Sequence, residues 1–206
     1  MPTAAKQARD NHTLGLQLPT DPRWVNLVAM DLGEILTDHA YCEQKAALSC
    51  ISIIQSYPDK HDVVREIAPV VTEEWGHFRL VLAELDKRGL ELGRQRKDEY
   101  VNRLRGFARG GGSREERLVE RLLTMALIEA RSCERFRLLS LEIAEQPLRE
   151  FYHRFMVSEA GHYRMFLQLA KRHGASDAAV QARWHEYLDF ERDMLATLEV
   201  RGDRIH

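Results

Sequence analysis

Val71-Thr72-Glu73-Glu74-Trp75-Gly76-His77-Phe78 and Val157-Ser158-Glu159-Ala160-Gly161-His162-Tyr163 carry the same short phrase, Glu-x-Gly-His. On an α-helix, residues three apart lie on one face, so each phrase aims a carboxylate and an imidazole in the same direction. Another glutamate precedes each phrase at nearly equal distance: Glu43 lies 31 residues before Glu74, and Glu129 lies 30 before Glu159. The chain therefore repeats a two-helix unit, with Glu on the first helix and Glu-x-x-His on the second.

Hydrophobic spacing outside these phrases supports that reading. Leu32, Leu36, Ala40, Ala47, Ile51 and Ile54 recur at three and four, which predicts a helix from Pro22 to Ser56 that closes at Tyr57-Pro58-Asp59. A second helix is predicted over Lys60–Lys87, with Ile67, Val70, Val71, Phe78, Val81 and Leu85 as its stripe and Pro69 bending it. Ser113 followed by Glu116 has the form of a capping box and starts a third helix, reaching Glu145. Pro147 suits the first turn of a fourth, which carries Phe151, Phe155, Tyr163 and Phe166 and stops at Gly174. Ser176 or Asp177 caps a fifth, reaching about Val200. Residues 1–20 read as an extended polar arm. Residues 89–113 read as a basic crossover, with a short helix over Asp98–Phe107 and a joint at Gly110-Gly111-Gly112. Two helical hairpins joined by one long connection predict a single all-α domain over 1–206: a ferritin-like four-helix bundle with one long crossover and an additional C-terminal helix.

Four glutamates and two histidines on four helices form the ligand set of a carboxylate-bridged di-iron or di-manganese centre. The candidates are Glu43, Glu74, His77, Glu129, Glu159 and His162. Glu-x-x-His alone is weak, since roughly one match is expected by chance at this composition. The chain has three. The third, Glu150-Phe151-Tyr152-His153, lies 21 residues after Glu129, outside the repeat, and reads as a solvated or interhelical pair. Glu134 is five residues from Glu129, about 140° around the axis, so the two cannot serve one face; repeat spacing selects Glu129. His39, one turn before Glu43, reads as a hydrogen-bonding neighbour. A mid-helix glycine costs about 1 kcal/mol relative to alanine, so Gly76 and Gly161 predict close packing of another group against the backbone. Zinc favours more His or Cys than this set offers, whereas redox-active iron suits it, with manganese as the alternative.

Composition removes other classes. Hydrophobic residues make up 44 % and charged residues 30 % of the 206, and the net charge of −2 demands no nucleic acid or membrane through a global field. Cys42, Cys50 and Cys133 are odd in number and none is in Cys-x-x-Cys spacing, which excludes a disulfide framework or rubredoxin-type iron. Neither a signal peptide nor an apolar run long enough for a membrane span is visible, so a reducing cytoplasm is expected.

The segments His39–Ala47, Glu73–Phe78, Ser158–Tyr163 and above all Ile128-Glu-Ala-Arg-Ser-Cys-Glu-Arg-Phe136 resemble the MiaE family of tRNA 2-methylthio-N6-isopentenyladenosine hydroxylases. The resemblance spans about residues 22–200. It implies that Glu43, Glu74, His77, Glu129, Glu159 and His162 bind two Fe ions, with Glu74 and Glu159 as the bridging pair. The four glutamates are then also the catalytic carboxylates. It further implies O2 as co-substrate and hydroxylation of the isopentenyl group beside the anticodon. An external electron donor, a reductase or ferredoxin, is required because the chain has no flavin, dinucleotide or Cys-x-x-Cys motif. Arg94, Arg96, Lys97, Arg103, Arg105 and Arg109 of the crossover, interleaved with Tyr100 and Phe107, form a candidate tRNA surface. A monomer fits the sequence. The competing readings are a ferritin- or rubrerythrin-like iron oxidase or peroxidase and a metal-free helical interaction protein.

Overall fold

The computed structural model describes residues 13–206. Among them are a 3₁₀ turn, Thr13–Gly15, and seven α-helices: α1 Trp24–Met30, α2 Leu32–Ser56, α3 His61–Lys87, α4 Glu99–Phe107, α5 Arg114–Glu142, α6 Gln146–His173 and α7 Asp177–Leu195. No strand occurs among the described residues, and no described helix is long and apolar enough to cross a membrane. The expected arm over 1–20 lies partly outside the described residues; its described part contains the 3₁₀ turn and is anchored at Leu18 and Thr20.

The described residues fall into two compact units. One comprises Asn26–Glu99 and Arg201–Ile205. In it α2 packs along α3, burying Ile35, Leu36, Ala40, Ala47, Cys50 and Ile53 from α2 and Val63, Ile67, Val70, Val81 and Leu85 from α3. The helix expected to run unbroken from Pro22 is instead interrupted at Asp31. There the carboxylate leaves the helix and accepts the Glu34 N–H at 3.1 Å, an N-cap that starts α2 afresh. The start of the crossover is fastened to α2: Gly93 N–H donates to Thr37 Oγ1 at 3.2 Å, and Tyr41 Oη–H to Gly93 O at 3.0 Å. A Cβ at Gly93 would lie 3.2 Å from the Thr37 methyl, so the approach favours glycine.

The chain end returns to the same hairpin. Ile205 is fully buried and its N–H donates to Asp38 Oδ2 at 2.8 Å. Gly202 passes so near Leu27 that a Cβ would lie 2.4 Å from that residue's carbonyl carbon. Asp203 accepts from Arg201 at 2.9 Å, Arg96 at 2.6 Å and Arg204 at 3.0 Å. The Arg201 hydrogen bond, followed by the charges of Arg204, Arg201 and Arg96, holds its carboxyl down at about 2, against an ordinary 3.8. A lowered folded value stabilises above the unfolded value and is lost as pH falls through the folded one. Asp203→Asn is therefore expected to cost about 1 kcal/mol at neutral pH for this partly solvated cluster. The difference from the parent should shrink as pH falls toward the folded value of about 2 and vanish below it in urea unfolding series.

The second unit comprises the described residues up to Val25, Tyr100–Val200 and His206. Its frame is the α5–α6 hairpin, with α7 packed on both helices. The capping box is present: Glu116 N–H donates to Ser113 Oγ at 3.1 Å, and Ser113 N–H to the Glu116 carboxylate at 2.6 Å. Ser176, rather than Asp177, caps α7 by accepting the Ala179 N–H. That helix ends at Leu195, short of the expected Val200. Phe136, Phe151, Tyr152 and Phe155 form an aromatic cluster with ring centroids 4.7–5.6 Å apart.

Candidate metal centre

Each hairpin carries one Glu-Glu-His triad. On the first, the α2 stripe that buries Ala40 and Ala47 also turns Glu43 inward, to 4 % exposure, and α3 turns in Glu74, to 1 %. His77, one turn after Glu74, places Nδ1 3.4 Å from Glu43 Oε2 and 3.8 Å from Glu74 Oε2. On the second hairpin Glu129 comes from α5, and Glu159 and His162 come from α6. All three are buried, with His162 Nδ1 3.2 Å from Glu159 Oε2. Within each triad one ligand atom per residue lies within 4.8 Å of the others. The sequence-predicted Glu-Glu-His sets are thus assembled hairpin by hairpin.

Two carboxylates converging in a buried site repel one another and lack the water that would screen them. A divalent cation removes that penalty, and an oxygen-rich set with one imidazole suits iron or manganese. The residues present fit the group that the repeat implies.

Glu43 has a further partner. His39 is fully buried one turn earlier, with Nε2 2.7 Å from Glu43 Oε1. This occupies one carboxylate oxygen and leaves Oε2 as the one nearest His77, orienting a candidate ligand through a neighbouring imidazole. The i, i+4 spacing carries that signal in the sequence.

Glu134, set aside as a ligand, accepts from Thr20 N–H at 2.9 Å and from Arg131 at 3.0 Å. Glu150 and His153 lie on the exposed surface, and Glu150 accepts from Gln146. The expected packing against Gly76 and Gly161 is not found: among the described residues, a methyl group added at either would meet no neighbouring atom within 4 Å. Gly161→Ala is accordingly expected to raise stability by about 0.5–1 kcal/mol, read as a higher urea midpoint.

The crossover cations divide into two groups. Arg94, Lys97 and Arg105 are exposed and make no ion pair or hydrogen bond among the described residues. Arg96 is bound to Asp203 and Glu34, Arg103 donates to Thr197 Oγ1 at 3.1 Å, and Arg109 pairs with Glu186 at 2.8 Å.

The family tRNA-(MS2IO6A)-hydroxylase (MiaE) matches residues 8–206. The chain belongs to the MiaE family. It is 36 % identical over 159 residues to the tRNA 2-(methylsulfanyl)-N(6)-isopentenyladenosine(37) hydroxylase of Pseudomonas putida, covering 77 % of this chain and 76 % of that one. The protein of the same name from Salmonella typhimurium is 26 % identical over 242 residues, covering 93 % and 87 %. Among solved structures, protein 43 with aldehyde deformylating oxygenase activity from Synechococcus superposes with a TM-score of 0.86 at 30 % identity, over 93 % of this chain and 94 % of that one. The fold is the expected all-α, ferritin-like one, and MiaE proteins are enzymes that act on tRNA.

Proposed function

We propose that this chain is an O2-dependent monooxygenase that hydroxylates the isopentenyl group of 2-methylthio-N6-isopentenyladenosine next to the anticodon of tRNA. The observation that carries this reading is a MiaE match over residues 8–206 whose span contains both Glu-Glu-His triads. Glu43, Glu74, His77, Glu129, Glu159 and His162 are the residues that would hold two iron ions. When bound, the irons supply O2 reduction and oxidation of the substrate C–H bond. The overall balance is one C–H and one O2 with two electrons and two protons, giving C–OH and water. The electrons come from a separate reductase or ferredoxin, because the three cysteines are free and scattered. His39 holds Glu43 in one rotamer through the Nε2–Oε1 contact, so the carboxylate does not reorganise when its other oxygen engages a ligand. Arg94, Lys97 and Arg105 are the crossover cations most available to RNA phosphates, with Arg96, Arg103 and Arg109 already engaged within the protein. The cytoplasm is the compartment where this substrate and free thiols meet.

The test compares hypermodified nucleosides in bulk tRNA from cells with and without this protein, with Glu129→Ala as control. Hydroxylated nucleoside present only with the parent chain supports the reading; no change sinks it. The Synechococcus structure favours a second reading, oxygen-dependent attack on an aldehyde. Loss of aldehyde in the presence of the iron-loaded protein and a reductant, with no action on tRNA, selects it. Iron oxidation that proceeds without any organic substrate selects the ferritin- or rubrerythrin-like alternative.

A further inference from the structure

Trp75 follows the candidate ligand Glu74 directly, yet its side chain is 48 % exposed. The other two tryptophans of the chain, Trp24 and Trp184, are 0 % and 5 % exposed. Trp75 is supported from one side: its ring lies 5.0 Å from the buried Phe78 ring, centroid to centroid, tilted by 36°. By helical geometry Phe78 sits about 40° from Glu74 and Trp75 about 100°, so the two rings step outward from the ligand to the surface of α3. One turn beyond Trp75 on the same exposed face is Arg79, which makes no hydrogen bond or ion pair among the described residues. Beside the indole, Gly76 leaves open space where any other residue would project a Cβ. A rigid, half-exposed indole on an aromatic support, a bare stretch of helix and an unengaged guanidinium within one turn match the chemistry of an unstacked nucleotide. The base takes the ring face and the phosphate takes the arginine.

We propose that Trp75, backed by Phe78 and flanked by Arg79, is a stacking platform for an unpaired base of the anticodon loop, and that it positions the neighbouring modified adenosine for reaction. This rests on the tRNA hydroxylase reading. The occupant is a nucleobase with its phosphate rather than a second protein chain, because the flanking charge is an available cation. Trp75 is a positioning residue: its effect belongs on KM rather than on iron binding or kcat.

The test uses the iron-loaded enzyme and a synthetic anticodon stem-loop RNA carrying the isopentenyl-adenosine. Since Trp75 is the one exposed tryptophan of the three, added RNA is expected to quench its emission and shield it from acrylamide. Trp75→Ala should abolish both changes. It should raise KM about tenfold, in line with the loss of one base–aromatic stack, with iron content unchanged and kcat within about twofold. Trp75→Phe should restore most of the KM, and Arg79→Ala should raise KM and reduce its salt dependence. Hydroxylation of the RNA by the parent enzyme without any change in Trp75 emission, or an unchanged KM in Trp75→Ala, overturns the platform and leaves the enzyme assignment standing. A concentration-dependent dimer that Trp75→Ala dissolves overturns it too, by making this face a self-association surface. If the parent enzyme neither binds nor hydroxylates the RNA, the tRNA reading and the platform fall together.

Discussion

Glu159→Ala is expected to abolish iron loading and hydroxylation while leaving the iron-free protein as stable as the parent or more so. The loss of activity should exceed a hundredfold, since removing even a residue that only orients a metal ligand costs about 10–100-fold. The stability half of the expectation follows from the geometry. Glu159 is 1 % exposed and lies within 4.8 Å of ligand atoms from Glu129 and His162, so two carboxylates share one buried site. With no metal, folding must bury carboxylates side by side, and deleting one relieves that cost. Metal analysis, hydroxylated nucleoside measured by mass spectrometry and thermal unfolding of the metal-free proteins read the three quantities separately. A metal-free variant that melts well below the parent would mean that Glu159 serves the fold, and would count against the dinuclear assignment.

The triads were legible in the sequence because their geometry is local. Glu74 with His77 and Glu159 with His162 are one helical turn apart, and period alone places them. The glutamates at matching distances upstream identify the helices that pair into hairpins. The interruption at Asp31 was not legible. Ala29-Met30-Asp31-Leu32 contains neither glycine nor proline, and an aspartate mid-run becomes a cap only when its carboxylate turns to the Glu34 N–H. The glycines misled for a related reason. Spacing shows that Gly76 and Gly161 sit beside a histidine, but whether anything fills the missing Cβ is a tertiary fact, and no described residue does. The dual behaviour of the crossover was equally hidden. Arg96 and Arg94 look alike in sequence, and the fold separates them by bringing Asp203 and Glu34 to Arg96.

Replacement of Arg131 is expected to have the largest effect on stability. This arginine stands two positions from Glu129, where the sequence offers it as a partner for buried carboxylates or a residue of the substrate entrance, and it is fully buried. Its guanidinium donates to both oxygens of Glu191, 60 residues away, at 2.8 and 3.0 Å, to Glu134 at 3.0 Å and to Leu18 O at 2.9 Å. Tyr100 Oη–H adds a bond to Glu191 at 2.9 Å. Burial alone would push the guanidinium toward neutrality, but the charge and hydrogen bonds of Glu191, then Glu134, outweigh it and hold its pKa above the ordinary arginine range. One side chain thereby joins α5, α7, the segment before α1 and, through Glu191, α4. Arg131→Met removes the cation and leaves the Glu191 and Glu134 carboxylates buried without its guanidinium, a loss of about 3–5 kcal/mol. Arg131→Met combined with Glu191→Leu is expected to recover a large part of that loss. The penalty lies in the stranded charge rather than in the absence of an attraction, and apolar replacement of a whole buried pair is often neutral. Urea unfolding of the two single variants and the double closes the cycle, and strong non-additivity is the expected result. The outcome is opposite in kind to that at Glu159. Both residues are buried, but Arg131 lies among carboxylates of opposite charge, whereas Glu159 lies beside another carboxylate, that of Glu129. If Arg131→Met unfolds at the parent's urea midpoint, the network does not tie these segments together.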